Sequence, residues 1–179
     1  MDRREHGYSL IELVAVITVL GLVAAIAVPS VSSTDSRKLD LAASEVAEAI
    51  RFARSEAIRL GEPRGFRQQV ADKRIRVFSL DMSVSPPARI FDVRHPISKQ
   101  LYDVDLDDHS LAAADSITRT ATWRGACNQQ GRMYFDANGT PWCSDPENVL
   151  LDKFAVTLTL GQISRVVTLD GISGRVTVQ

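Results

Sequence analysis

The sequence is poor in the residues that most often carry chemistry, with three histidines and two cysteines among 179 residues. His6, His95 and His109 are scattered, and none stands at a zinc-ligand spacing from Cys127 or Cys143. Phosphate-binding glycine loops, the dinucleotide fingerprint and the G-x-S-x-G elbow are all missing. Serine, histidine and aspartate occur, but nothing in their placement sets up a triad. These absences point away from an enzyme, and no cofactor is expected. An excess of charge is missing too: 21 basic against 22 acidic residues give a formal net charge of -1. No global attraction to nucleic acid or acidic lipid follows from that balance. Lysine occurs only at Lys38, Lys73, Lys99 and Lys153, so the basic residues are mostly arginine, expected as decoration of strand surfaces.

Carboxylates cluster once, at Asp103, Asp105, Asp107 and Asp108. Calcium takes several such oxygens, but no glycine-turned ligand loop accompanies these four. A solvated strand edge or loop is the expectation, and no metal is assigned.

Hydrophobic residues make up 45% of the chain, unevenly spread. Tyr8 to Val28 is an apolar run of 21 residues. As a helix rising about 1.5 Å per residue it reaches roughly 31 Å, enough for a hydrocarbon core of about 30 Å. Arg3 and Arg4 ahead of it predict a cytoplasmic N-terminus and an exported remainder. Ala24-Ala25-Ile26-Ala27 mimics a signal-peptidase site, but Glu12 inside the run is foreign to a simple secretory signal. A carboxylate in an apolar span costs several kcal/mol to bury unpaired. On composition alone Glu12 either finds a partner or sits at the membrane edge among headgroups.

Gly7-Tyr8-Ser9-Leu10-Ile11-Glu12-Leu13, with an apolar run ending in Ala27-Val28-Pro29, closely resembles the N-terminus of type IV pilins and pseudopilins. The resemblance implies a prepilin peptidase that cuts after Gly7 and methylates the new amine of Tyr8, which replaces the usual phenylalanine. It also gives Glu12 a role, pairing with the N-terminal amine of a neighbouring subunit as helices assemble; in low dielectric an unpaired carboxylate is costly. Gly21 and Pro29 both weaken a helix, so a bend or local melting is expected near them.

Beyond Val31 to Ser36, where Asp35 or Ser36 can cap a helix, Leu39, Ala42/Ala43, Val46, Ala49/Ile50, Ala53, Ala57 and Leu60 recur in steps of three and four. That spacing makes one apolar stripe, a face for packing on a sheet. Gly61 suits a C-terminal cap and Pro63 prevents continuation. Alternation then takes over. Strands are predicted at Arg74 to Phe78, Arg89 to Val93 and Arg132 to Phe135, the last leading into a turn at Asp136-Ala137-Asn138-Gly139. Phe154 to Leu160 and Ile163 to Leu169 flank Gly161-Gln162, a glycine-first hairpin. Gly174 to Gln179 ends the chain as a short strand with Val176 and Val178 inward. Helix first and antiparallel strands after predicts an α+β fold, a long N-terminal helix packed on antiparallel sheets. Residues 1-7 would be the leader, 8-29 the transmembrane half of the helix, 30-62 its amphipathic half and 63-179 a β-rich periplasmic domain.

Phe52-Ala53-Arg54-Ser55-Glu56-Ala57-Ile58, Met133-Tyr134-Phe135 with Gly139, and Gly171-Ile172-Ser173-Gly174-Arg175-Val176 are similar to the GspH/FimT family of minor pseudopilins and minor pilins. The resemblance implies a low-copy structural subunit of the type II secretion pseudopilus, supporting protein secretion. Its alternative is a minor pilin of a type IV pilus, with or without DNA uptake. The implied partners are other major and minor pseudopilins or pilins, the prepilin peptidase, the inner-membrane assembly platform and membrane lipid. Periplasmic exposure favours a Cys127–Cys143 disulfide, closing a 17-residue loop worth about 3 kcal/mol. Nucleic acid enters only in the alternative. Some FimT-like relatives bind DNA through Gly-Arg-x-Arg, and Gly174-Arg175-Val176-Thr177 keeps only the first arginine, with Arg165 as a candidate second cation.

Overall fold

A computed structural model of the chain describes residues 9–27, 31–69, 74–85, 87–105, 117–124, 132–143 and 149–179. Two compact units divide the chain, residues 1–37 and 38–179. In the first, α1 (Leu10–Ala27) is an unbroken helix through Gly21, apolar on all sides except for Glu12 in its first turn. Every described side chain from Leu10 to Gly21 is exposed within the single chain. Among the described residues no helix is long and apolar enough to cross a membrane. Gly7, Tyr8 and Pro29 lie outside the described residues.

α2 (Val31–Leu60) is a 30-residue helix. It starts earlier than the cap expected at Asp35 or Ser36, so the serine- and threonine-rich stretch is its first turn and a half. The expected stripe is its buried face: Leu39, Ala43, Val46, Ala49, Ile50, Ala53 and Ala57 are each 0% exposed. Leu60, counted in that stripe, is 41% exposed because the helix ends beside it. Gly61 (φ 67°) closes the helix, and the N–H groups of Gly61 and Glu62 both donate to the Ala57 carbonyl, at 2.9 and 3.3 Å. Alanine-rich spacing lets the backbone of α2 approach its neighbours closely.

Among the described residues ten strands follow: β1 (Arg64–Gln69), β2 (Arg74–Asp81), β3 (Ala88–Ile90), β4 (Asp103–Asp105), β5 (Thr118–Arg124), β6 (Arg132–Phe135), β7 (Pro141–Cys143), β8 (Lys153–Leu160), β9 (Ile163–Asp170) and β10 (Val176–Val178). The first sheet is ordered β3-β2-β1-β6-β7, with β4 on β2; the second is β10-β9-β8-β5. All pairings are antiparallel. One core unites the α2 stripe with Phe66, Ile75, Val77, Met133 and Phe135 of the first sheet and Phe154, Val156, Leu158, Val167 and Leu169 of the second. Phe66 and Phe154 meet edge to face at 6.1 Å, where the two sheets adjoin.

The β8–β9 hairpin has the expected two-residue turn, with Leu160 opposite Ile163 and Gly161 at φ 60°. Two strand expectations need correcting. The strand predicted over Arg89 to Val93 is β3, which pairs only from Ala88 to Ile90; Val93 instead accepts from the Tyr102 N–H at 2.7 Å, outside the ladder. Val178, expected inward, is 41% exposed, because β10 is the edge strand of its sheet and is paired on one side only.

Candidate assembly site

Glu12 is the one ionisable group in α1. Its N–H donates to the Ser9 carbonyl at 2.9 Å, and that carbonyl also accepts from Leu13 at 3.2 Å, fixing the start of the helix. The Glu12 side chain is exposed, as are those of its aliphatic neighbours Leu13, Val16 and Val19. A helix apolar all round cannot be stable in water with that surface open; it needs lipid or other helices.

At the far end of α2, Arg54 does what the sequence did not announce. Its Nε donates to the Gly139 carbonyl at 3.1 Å, and its Nη1 donates to the Gly174 carbonyl at 3.0 Å. One guanidinium therefore ties the helix to a turn of each sheet. Arg51 adds a bond from Nη2 to the Val176 carbonyl at 3.1 Å. Both turns are shaped to receive Arg54. Gly139 and Gly174 adopt φ values of 77° and 64°, which side-chain-bearing residues rarely take. A Cβ on Gly174 would lie 2.5 Å from Arg54 Cζ, and one on Gly139 would lie 2.6 Å from Ile58 Cδ1. The first turn is further braced by Asp136. Its Oδ1 accepts from the Asn138 and Thr140 N–H groups, both at 2.9 Å, and its Oδ2 from Trp142 Nε1 at 3.1 Å. Burial pushes the Asp136 carboxyl up, but those donors outweigh it and hold it below the usual range. In the second turn Asp170 Oδ1 accepts from the Ser173 hydroxyl and N–H, both at 2.7 Å, which lowers its pKa. An arginine beside an apolar helical stripe, with two distant turn glycines, is the only sequence signal for this clamp.

Arg165 and Arg175 are not brought together. Arg165 Nε donates to Asp40 Oδ1 on α2 at 2.6 Å. Arg175 is exposed and opposite Asp170, whose N–H donates to the Arg175 carbonyl at 3.0 Å. Five residues of strand separate the two positions, about 16 Å at 3.3 Å per residue. The odd spacing puts them on opposite faces of the sheet.

The acidic cluster resolves in part. Asp103 Oδ1 accepts from Arg74 Nε at 2.7 Å, Asp103 Oδ2 lies 3.2 Å from Arg76 Nε, and Asp105 Oδ2 lies 3.4 Å from Arg74 Nη1. Burial raises the Asp103 pKa, but the two arginines outweigh it and the net shift is downward. Asp107 and Asp108 lie outside the described residues, and among the described residues no group of carboxylates, histidines or cysteines is arranged to hold a metal. Cys143 is 0% exposed and disulfide-bonded; Cys127 lies outside the described residues.

A helix carrying one acidic residue in an otherwise apolar run, followed by a helix buried against antiparallel sheets, is the pilin-like α+β fold. Residues 2–28 match the prokaryotic N-terminal methylation motif. No curated protein matches the chain. Among solved structures, the minor pseudopilin EpsH from the type II secretion system of Vibrio cholerae superposes with a TM-score of 0.54 at 12% identity, covering 79% of this chain and 96% of that one. A second EpsH structure gives 0.52 at 11% identity, covering 79% and 93%. The type IV minor pilin FimU of Pseudomonas aeruginosa gives 0.51 at 16% identity, covering 82% and 91%.

Proposed function

We propose that this chain is a minor pseudopilin of a type II secretion system, a structural subunit without enzymatic activity that supports protein secretion. The observation that carries the reading is the joining of an N-terminal methylation motif to a whole domain of the EpsH kind. In this reading residues 1-7 are the leader, and Tyr8 becomes the methylated N-terminus. α1 anchors the subunit in the inner membrane, and the domain stands in the periplasm. Glu12 pairs with a neighbouring subunit's amine during assembly, and Gly21 and Pro29 are where the helix yields. The FimU likeness favours one second reading, a minor pilin of a type IV pilus.

Processing tests the anchor. Gly7→Val is expected to leave an uncut precursor in cells with a prepilin peptidase, and intact mass reads the outcome; a mature chain beginning after Ala27 would overturn the reading. Glu12→Ala is expected to be processed normally and to drop out of sheared filaments by tenfold or more. Deleting the gene separates the two readings: lost secretion of exoproteins supports the first, lost pili with intact secretion the second.

Export also supports pairing Cys143 with Cys127, the only other cysteine in the chain. Peptide mapping without reductant is expected to recover the two linked. Reduction is expected to lower stability by about 3 kcal/mol for a loop of this length. Two free thiols in protein from the native host would sink both the bridge and the compartment.

A further inference from the structure

We propose that Asn138 is a self-modification site, a deamidating asparagine that the Arg54 clamp holds in check. Turn geometry carries the inference, which stands apart from the filament reading. The chain contains one Asn-Gly pair, Asn138-Gly139. It sits in the turn of the β6–β7 hairpin, with Asn138 exposed to water. Glycine has no Cβ to shield its backbone nitrogen, so a preceding side-chain amide is open to attack by it. In that reaction the Gly139 nitrogen gives up its proton and attacks the Asn138 side-chain carbonyl carbon. A new C–N bond closes a cyclic imide, and the side-chain nitrogen leaves as ammonia, taking up the proton. Water then opens the ring at either carbonyl. The product is aspartate or, where the chain is rerouted through the side chain, isoaspartate. Water is the only co-reactant, and nothing is oxidised or reduced.

The folded turn obstructs the first step in three ways. The Gly139 N–H donates to the Asp136 carbonyl at 2.9 Å, so removing its proton breaks a hydrogen bond. The Asp136 carboxylate accepts from the N–H groups on either side, of Asn138 and Thr140, both at 2.9 Å, and its charge disfavours an amide anion between them. Arg54 Nε donates to the Gly139 carbonyl at 3.1 Å while its Nη1 holds Gly174 at 3.0 Å. Gly139 is thereby pinned to α2, and its nitrogen cannot swing toward the Asn138 side chain while the clamp is closed. Asn138 therefore reacts from a locally opened turn, and that opening is what Arg54 limits.

The product closes poorly. Isoaspartate adds a backbone atom inside a turn whose hydrogen bonds run from Asp136 to Asn138, Gly139 and Thr140. Either product also brings a second carboxylate beside that of Asp136, a like-charge contact the native turn does not have. A chain that lingers open is thus converted to one that no longer ties α2 firmly to this turn.

The test is timed peptide mapping of the full chain in nonionic detergent micelles at mildly alkaline pH. Chromatography and mass resolve the aspartate and isoaspartate products at position 138. A synthetic peptide covering Arg132 to Trp142 sets the rate without the clamp. The native chain is expected to react slower than the peptide by about tenfold or more, and Arg54→Ala faster than the native chain by about fivefold or more. Arg54→Lys keeps the test open if Arg54→Ala misfolds, and is expected to react faster than the native chain by about twofold or more. Leu158→Ala weakens the core at a fully buried position in the second sheet and controls for global unfolding. It is expected to react more slowly than Arg54→Ala. An unreactive peptide, a native chain as fast as the peptide, unchanged rates in the Arg54 variants, or Leu158→Ala as fast as Arg54→Ala would overturn the proposal.

Discussion

Replacing Arg54 with alanine is expected to destabilise the folded domain by about 3–5 kcal/mol, from two charge-assisted hydrogen bonds at about 1.5–3 kcal/mol each. Both bonds end on turn carbonyls, at Gly139 and Gly174, which the variant leaves under-satisfied in partly buried positions. Urea denaturation in micelles reads it: at a slope near 2 kcal/mol/M the midpoint drops by roughly 2 M. Arg54→Lys is expected to fall between, since one ammonium lacks the fork that reaches both turns. Gly174→Ala supplies the coupling. In the native background its Cβ collides with Arg54 Cζ at 2.5 Å. In the Arg54→Ala background that collision is gone, and only the left-handed backbone cost of about 1 kcal/mol remains. The two losses must therefore be less than additive. A loss below about 1 kcal/mol for Arg54→Ala, or strict additivity, would show that the turns hold themselves.

Legibility followed the range of the interactions. α2 was visible because its face repeats at helical spacing, and Gly61 and Pro63 marked its end. The β8–β9 hairpin was visible because Phe154, Val156, Leu158 and Leu160 alternate and are buried, while the residues between them are not. β1 was hidden: Arg64–Gln69 offers a single apolar side chain to the core, Phe66, and its next inward residue is Gln68, a polar group only 1% exposed. Thr118–Arg124 is similarly polar, and Pro141–Cys143 is too short for a pattern. The acidic cluster was ambiguous because the arginines that receive Asp103 and Asp105 come about thirty residues earlier, brought near by strand pairing. The Arg54 clamp was beyond pattern altogether, with partners 85 and 120 residues away. Local signals thus located the elements, and the methylation motif over residues 2–28 marked the N-terminal helix. What joins the helix to the two sheets depends on contacts that no local window contains.

Glycine separates two kinds of constraint, and Gly171→Ala is expected to have the larger effect, at least 4 kcal/mol. A Cβ there would fall inside the carbonyl oxygen of Leu151, with the Asp152 carbonyl also within contact. Neither obstacle is the flexible end of a side chain, so relief requires moving the backbone that leads into β8. That movement also strains the bond from the Gly171 N–H to the Asp152 carbonyl, 2.8 Å long, and shifts the turn that presents Gly174 to Arg54. Gly61 and Gly161 are the controls. Both have positive φ, 67° and 60°, yet a Cβ on either meets nothing within 4 Å. Alanine at those two sites is expected to cost about 1 kcal/mol, the conformational term alone. Midpoints for the three variants, measured side by side in urea, decide it. A loss at Gly171 no larger than at the two controls would mean that the backbone around Leu151 yields readily and close approach is not what keeps glycine at 171.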